Sequence, residues 1–376
     1  MIILTDKQKE CIKRVTELYK NGKEIITIAG PAGSSKTTLV NYIIESIGLK
    51  PYEVDFCCYT GKASSVLRQK GIPAKTIHKT IYNCKRNPRT GKFYFRKKIY
   101  LDNLYCKLLV VDEISMVSNS LLEDLRSFNI PIICLGDPYQ LPPILAEPNN
   151  LLDEPDILLT EIFRQKENST ILDLATQIRE KRGIKSNFND DAVRTVSNEE
   201  LEVGMLNWAD QVLCGTHKCR KAFNDAIRKS NGIDSLIPVV GDKIICLHNY
   251  WDIFSNYKNE PLVNGTIGII TKIKNINLES FNHYMDVEFR PTWDFEDAYD
   301  FRIDLNPFYG EKAYKNNYAM NHPRVSVDYG YAITVHKSQG SQWDKVLVYT
   351  PDAFGDKDKM LYTAVTRASK KLLYIQ

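Results

Sequence analysis

The stretch Gly30-Pro31-Ala32-Gly33-Ser34-Ser35-Lys36-Thr37 constrains this chain more than any other feature. The apolar run from Glu24 to Ile28 before it reads as a short strand. Thr38 to Ile47 after it has helical spacing, and Gly48 stops it. Strand, glycine-containing loop and helix, in that order, make a phosphate-binding loop. Backbone N–H groups and a helix N-terminus then cradle the phosphates. In this reading Gly30, Ala32, Gly33, Ser34, Ser35 and Thr38 form the cradle, and Lys36 reaches the β- and γ-phosphates. The Thr37 hydroxyl holds Mg²⁺. Ser35 stands where the second glycine of such a loop belongs. Glycine lets the backbone approach a phosphate closely, so the serine is expected to weaken binding or slow turnover.

Further strands follow the loop. Val54 to Tyr59 leads into Thr60-Gly61-Lys62-Ala63, Leu108 to Val111 into Asp112-Glu113, and Ile132 to Leu135 into Gly136-Asp137. Continuous apolar runs of this kind suit a parallel sheet buried on both faces. Ligand chemistry then gathers at the carboxyl ends of the strands. Taken alone, Asp112-Glu113 is also a plain solvated strand end. Coupled to Lys36, the two acids divide two tasks: Asp112 holds the Mg²⁺ shell, and Glu113 orients and deprotonates an attacking water.

A chain of 376 residues has room for two or three domains with real cores. Its 43% hydrophobic and 26% charged residues are ordinary for a soluble protein. A net charge of +4 is too mild to establish a nucleic-acid partner. No apolar run approaches membrane-spanning length and no secretory leader opens the chain, so a cytoplasmic protein with no membrane partner is expected. The nine cysteines, several inside apolar strands (Cys57, Cys58, Cys134), read as buried thiols of a reducing compartment. Cys214, His217 and Cys219 lack the further spaced ligands that zinc needs.

Asp112-Glu113-Ile114-Ser115-Met116 and Gly136-Asp137-Pro138-Tyr139-Gln140-Leu141-Pro142-Pro143 resemble motifs II and III of superfamily 1 helicases, in their RecD/Dda-like branch. Leu4-Thr5-Asp6-Lys7-Gln8 matches that family's opening motif, Thr60 to Ala63 its motif Ia, and Thr76-Ile77-His78 the short element after it. Leu159-Thr160-Glu161-Ile162-Phe163-Arg164-Gln165 resembles motif IV. The strand Gln211 to Cys214 with Thr216 and the helix after it resembles a further family element, with His217 in place of the usual asparagine. Tyr331 to Gly340 matches motif V, and Leu361 to Ala368 matches motif VI. The motifs stand in the family's order and span nearly the whole chain.

The resemblance implies ATP with Mg²⁺, bound by two RecA-like α/β domains. Gln8 would read adenine, Gly340 would join the nucleotide contacts, and Gln140 would sense the γ-phosphate. Arg164 and Arg367 would offset charge on the transferring group from the second domain. Thr60, Gly61, Lys62, His78, Thr216, Thr334, His336, Lys337 and Ser338 would touch the DNA strand. Read without the family, Gln8 means nothing, Arg164 and Arg367 are surface charges, and His78 and His336 are satisfied polar groups.

The first RecA-like domain is expected over residues 1–150 and the second over 151–236 and 324–376. Two insertions interrupt them. Asn87-Pro88-Arg89-Thr90-Gly91, before Phe93-Tyr94-Phe95, signals a hairpin within about residues 81–105. Its lysines and arginines can neutralise phosphates while rings such as Phe93 stack on bases. The family resemblance makes it a strand-separating pin, whereas its composition alone also fits an exposed, lysine-protected hairpin. Residues 237–323 hold short alternating strands, a β module that by resemblance is a small SH3-like barrel. Residues 291–323 show only weak periodicity and read as an extended arm.

The function expected is an ATP-dependent, monomeric DNA helicase moving 5′→3′ on single-stranded DNA, with single strands and single-strand/duplex junctions as partners. Direction comes from the resemblance, not from spacing. Replication or recombination proteins are candidate partners, and the compact length points to a phage or mobile-element source. A DNA-stimulated translocase with little unwinding and a non-motor phosphotransferase are the alternatives. The motifs after Leu159 argue against the second.

Overall fold

The computed structural model describes residues 4–87, 93–143, 147–161, 169–182, 190–258, 260–279, 283–294, 296–312, 323–351 and 355–376. Two compact units divide the chain. The first takes Met1–Asn83, Phe95–Lys185 and Asp356–Thr366; the second takes Cys84–Tyr94, Ser186–Gly355 and Arg367–Gln376.

A six-stranded sheet organises the first unit, in the order Lys75–Thr76, Val54–Cys58, Leu108–Asp112, Ile132–Gly136, Ile25–Ala29 and Ile157–Leu158. Its pairings are parallel. The central strands are buried along nearly their whole length, as unbroken apolar runs require. Helix Asp6–Lys20 and helix Lys36–Ile47 cover one face, where Cys11, Val15, Leu39, Val40 and Ile43 meet Ile26 and Ile28. The opposite core gathers Ile77, Ile81, Val111, Leu121, Leu125 and Cys134. Parallel topology sends the loop after each strand to one edge of the sheet. That edge holds Gly30–Ser35, Thr60, Asp112–Glu113 and Asp137.

The first sheet extends beyond the expected limit at residue 150. Ile157–Leu158 pairs with Ile28 and Ala29, and the helix Ser169–Arg179 belongs to the same unit. A two-residue edge strand carries too little periodicity to be read from sequence.

In the second unit a five-stranded parallel sheet has the order Ala332–Thr334, Gln211–Cys214, Trp343–Tyr349, Ala368–Ile375 and Val193–Val196. A separate six-stranded sheet runs Arg324–Val325, Tyr299–Asp304, Tyr284–Pro291, Ile267–Asn277, Lys243–Cys246 and Val327–Tyr329. It is antiparallel except between the Tyr299–Asp304 and Arg324–Val325 strands. The β module's sheet takes in residues 324–329, and the segment read as an arm contains Tyr299–Asp304, a well-buried strand.

A buried ion pair ties this sheet to the helix His217–Ser230. The Arg228 guanidinium meets the Asp242 carboxylate through Nε and Nη2, each at 3.0 Å. It also donates to the carbonyls of Ser235 and Ile237, and Tyr331 and the Val239 N–H donate to Asp242. Every charge in the pair is thus compensated.

Tyr82–Arg86 and Phe93–Lys97 pair as a two-stranded sheet. Its base lies in the first unit, while Cys84–Tyr94 group with the second. Among the described residues no helix is long and apolar enough to cross a membrane.

Candidate nucleotide site and nucleic-acid interface

The loop after strand Ile25–Ala29 is built by close approach. A Cβ on Gly30 would come within 2.6 Å of the Ser34 hydroxyl and 2.9 Å of the Leu159 carbonyl, so only glycine fits. Gly33 has φ 84° and Ser35 φ 60°, and these left-handed residues turn the chain into helix Lys36–Ile47. Ser35 is the N-cap of that helix but makes no side-chain capping bond. The Ser35 side chain thus leaves the first-turn N–H groups of the helix uncapped, and a helix N-terminus of this kind attracts an anion. Ser34 is buried and donates to the Pro31 carbonyl at 2.8 Å. The Lys36 ammonium folds into the loop, donating to the carbonyls of Gly30 at 2.7 Å and Pro31 at 3.0 Å. Thr38 is exposed on the first turn of the helix.

The Thr37 hydroxyl donates to Asp112 Oδ2 at 3.0 Å, although strand order, not sequence, makes them neighbours. Hydroxyl and carboxylate oxygens are the hard donors that Mg²⁺ takes, so the pair fits the ion. Asp112 Oδ1 accepts the Glu113 N–H at 2.9 Å. Glu113 itself has φ 58°, a strained conformation for a residue with a side chain.

At the end of strand Ile132–Gly136, Asp137 is 2% exposed. Its Oδ1 accepts the Tyr139 N–H at 3.0 Å, and Oδ2 accepts the Tyr362 hydroxyl at 2.8 Å and Gln140 Nε2 at 3.4 Å. Gln140 is 5% exposed, and its Oε1 is buried without a hydrogen-bond partner among the described residues. The Tyr362 hydroxyl also accepts the Ala32 N–H at 3.1 Å. Burial, then the Asp137 charge, pushes the Tyr362 phenol well above its usual range, so it stays protonated. Tyr362 and Asp137 were not singled out as site residues from sequence. The available signal was a phenol within the apolar motif VI helix, which must find a polar partner when buried.

Gln8 is buried, with its carbonyl accepting the Thr5 N–H at 3.0 Å while Gln8 N–H donates to Thr5 Oγ1. This is a capping box on helix Asp6–Lys20. The same side chain lines a cavity of roughly 580 Å³ together with Arg14, Leu159 and Glu161.

The expected DNA contacts divide. Thr60 and Thr216 cap helices Gly61–Gln69 and His217–Ser230, accepting from the N–H of Ala63 and of Cys219, and Gly61 and half-buried Lys62 open the first of these. His78 sits among aromatic rings, its centroid 5.6 Å from Tyr82 and 5.7 Å from Phe95, and burial lowers its pKa. Phe95 is exposed beside it. Phe93 opens the same strand, and its side chain lies outside the described residues. In the second unit burial, and then His217, lowers the His336 pKa. Lys337 donates to Asn264 at 2.6 Å. Ser338 is fully buried with its hydroxyl donating to the Val335 carbonyl, and Thr334 is 6% exposed. Ser338 lies on the buried side of the short helix Val335–Ser338, and Thr334 ends the buried strand Ala332–Thr334.

Gly340 adopts φ 70° just after that helix. Arg367 is buried, with Nη1 donating to the Ser341 carbonyl at 3.2 Å. Both belong to the second unit. Arg164 lies outside the described residues.

Comparison with known proteins gives a consistent picture. The family model for an AAA domain matches residues 3–198, and that for a UvrD-like helicase C-terminal domain matches residues 329–375. The chain is 26% identical over 442 residues to the ATP-dependent DNA helicase dda of Enterobacteria phage T4, covering 99% of each chain. It is 27% identical over 382 residues to the ATP-dependent RecD2 DNA helicase of Deinococcus radiodurans, covering 92% of this chain and 46% of that one. Its fold matches the crystal structure of Pif1 helicase from Candida albicans with a TM-score of 0.55 at 21% identity, covering 100% of this chain and 95% of the other. The Pif1 helicase from Bacteroides in complex with ADP-AlF3 and single-stranded DNA gives 0.57 at 19% identity, with 100% and 92% covered.

Proposed function

The chain belongs to the superfamily 1 DNA helicases of the RecD/Dda-like branch, and from that premise we propose that it hydrolyses ATP to move 5′→3′ along single-stranded DNA and to part duplex at a single-strand/duplex junction. The observation that carries this reading is the joining of Lys36, Thr37, Asp112 and Glu113 at one sheet edge, with Thr37 and Asp112 3.0 Å apart.

Lys36 and the loop N–H groups bind and orient the β- and γ-phosphates. Thr37 and Asp112 hold Mg²⁺, whose contribution when bound is to neutralise charge on the phosphate oxygens. Glu113 takes a proton from the attacking water as the water oxygen bonds to the γ-phosphorus and the bond from that phosphorus to the β–γ bridging oxygen breaks, so that ADP leaves. Gln140 keeps its place as γ-phosphate sensor, supported by its buried, unpartnered Oε1. Gln8 and the cavity beside it suit the adenine, its Oε1 being shared with the helix cap. Gly340 and the charge-offsetting roles of Arg164 and Arg367 rest on motif identity.

For the strand we propose Lys62 with the N-terminus of its helix at Thr60–Gly61, the ring cluster at His78, and Thr216, His336 and Lys337. The hairpin, with Phe93 in its second strand, serves as the separating pin. The β module is read as a small barrel-like insertion, and the working form as a monomer.

The test is unwinding of partial duplexes carrying either a 5′ or a 3′ single-stranded tail, with ATP turnover followed on the same substrates. Unwinding from the 5′ tail is expected. ATP turnover stimulated by single strands without strand separation from either tail would favour a translocase instead.

A further inference from the structure

The described residues around Asp137 form a chain of hydrogen bonds that motif identity alone does not explain. Tyr362 lies on the helix Lys357–Val365, and 225 residues separate it from Asp137. Its hydroxyl makes two bonds of opposite sense: it donates to the Asp137 carboxylate at 2.8 Å and accepts the Ala32 N–H of the phosphate loop at 3.1 Å. The next residue, Thr363, accepts the Leu141 N–H at 3.0 Å, so the helix grips the loop after strand Ile132–Gly136 at two points.

An ionised carboxylate only accepts hydrogen bonds. The atom of Gln140 that faces Asp137 is therefore Nε2, and Oε1 is left buried and without a partner. A buried acceptor without a partner is costly unless a ligand completes it. Tyr362 fixes Asp137, Asp137 fixes which end of the Gln140 amide is presented, and the same hydroxyl fixes the phosphate loop at Ala32. We infer that Tyr362 is a positioning residue for ATP hydrolysis, acting through Asp137 to set the Gln140 amide while it steadies Ala32. This inference rests on the functional reading above and deepens it.

The test is Tyr362→Phe, which keeps the ring and its edge contact with Tyr139 and removes only the hydroxyl. Losing a hydrogen bond to a charged group predicts a fall in DNA-stimulated kcat of roughly tenfold or more. KM for ATP should change by less than about threefold, because ground-state contacts to the phosphates remain. The double variant Tyr362→Phe/Gln140→Ala should lose clearly less than the two single losses combined, since the route through Asp137 acts in series with Gln140. A merely structural tyrosine would lower the melting temperature and add its effect to that of Gln140→Ala. Unchanged kcat in Tyr362→Phe, or additive losses in the double variant, would overturn the inference while leaving the helicase reading intact. Absence of DNA-stimulated hydrolysis in the unaltered chain would overturn both.

Discussion

Replacing Ser35 by glycine tests the loop's most unusual residue. Ser35 holds φ 60° and ψ 23°. That region costs an L-residue about 1–2 kcal/mol relative to a right-handed conformation. Glycine enters it freely but loses about 0.5–1 kcal/mol more conformational entropy on folding. The hydroxyl makes no capping bond, so its removal at the N-cap costs at most a few tenths of a kcal/mol. The balance favours Ser35→Gly by about 0.5–1 kcal/mol. If that gain reaches the nucleotide complex in full, where the backbone can draw nearer the phosphate, ATP affinity rises about two- to fivefold, which is the upper bound expected. Ser35→Ala is the control: it removes the hydroxyl but keeps the strain, so it should match the unaltered chain within a few tenths of a kcal/mol. Binding of a fluorescent ATP analogue, calorimetric melting and single-strand-stimulated turnover would be measured on all three proteins. Weaker binding or slower turnover in Ser35→Gly, with a similar loss in Ser35→Ala, would refute the crowding argument and mean that the loop has adapted to the hydroxyl.

Other predictions follow from the same geometry. Glu113→Gln should leave ATP binding nearly intact and slow hydrolysis by at least about a hundredfold, whereas Lys36→Ala should weaken binding as well; equilibrium binding and steady-state turnover separate the two. Arg228→Ala should destabilise the second unit by about 3–5 kcal/mol in urea titrations, because it leaves Asp242 buried and unpaired. Burial holds the His78 pKa below its usual 6.5, so the unfolded chain takes up this proton first as pH falls. Its contribution to stability is full above about pH 6.5 and is lost as pH falls toward the folded-state pKa; urea midpoints at pH 7.5 and 5.5 should differ less in His78→Gln than in the unaltered chain. Trimming the hairpin between Lys85 and Arg96 should spare DNA-stimulated hydrolysis and abolish most unwinding; full unwinding with only a salt-sensitive loss of binding would make it a charged anchor.

Local chemistry made much of the first unit legible. An apolar run followed by a glycine turn and helical spacing defines a phosphate loop wherever it occurs, and the buried strands at Val54, Leu108 and Ile132 formed as their composition required. The buried thiols Cys57, Cys58 and Cys134 follow from the same runs. The resemblance assigns Gln8 to adenine, yet the spacing of Thr5 and Gln8 also spells the capping box that the helix uses. Thr60 and Thr216 likewise show a hydroxyl doing local structural work, at helix starts that the sequence could place but not distinguish from ligand contacts.

Properties that depend on distant segments meeting were decided by the tertiary structure alone. Strand order brings Thr37 to Asp112, and helix packing turns Ser338 inward. Adding Ile157–Leu158 to the first sheet required the neighbouring strand Ile25–Ala29 to be in place. The Tyr362 hydroxyl found Asp137 and Ala32 only through folding, since no periodicity in either segment encodes the other. Sequence fixes what each segment can donate, accept or bury; which partner answers it is set by packing, where a buried polar group has to be satisfied by whatever the fold brings within 3 Å or so.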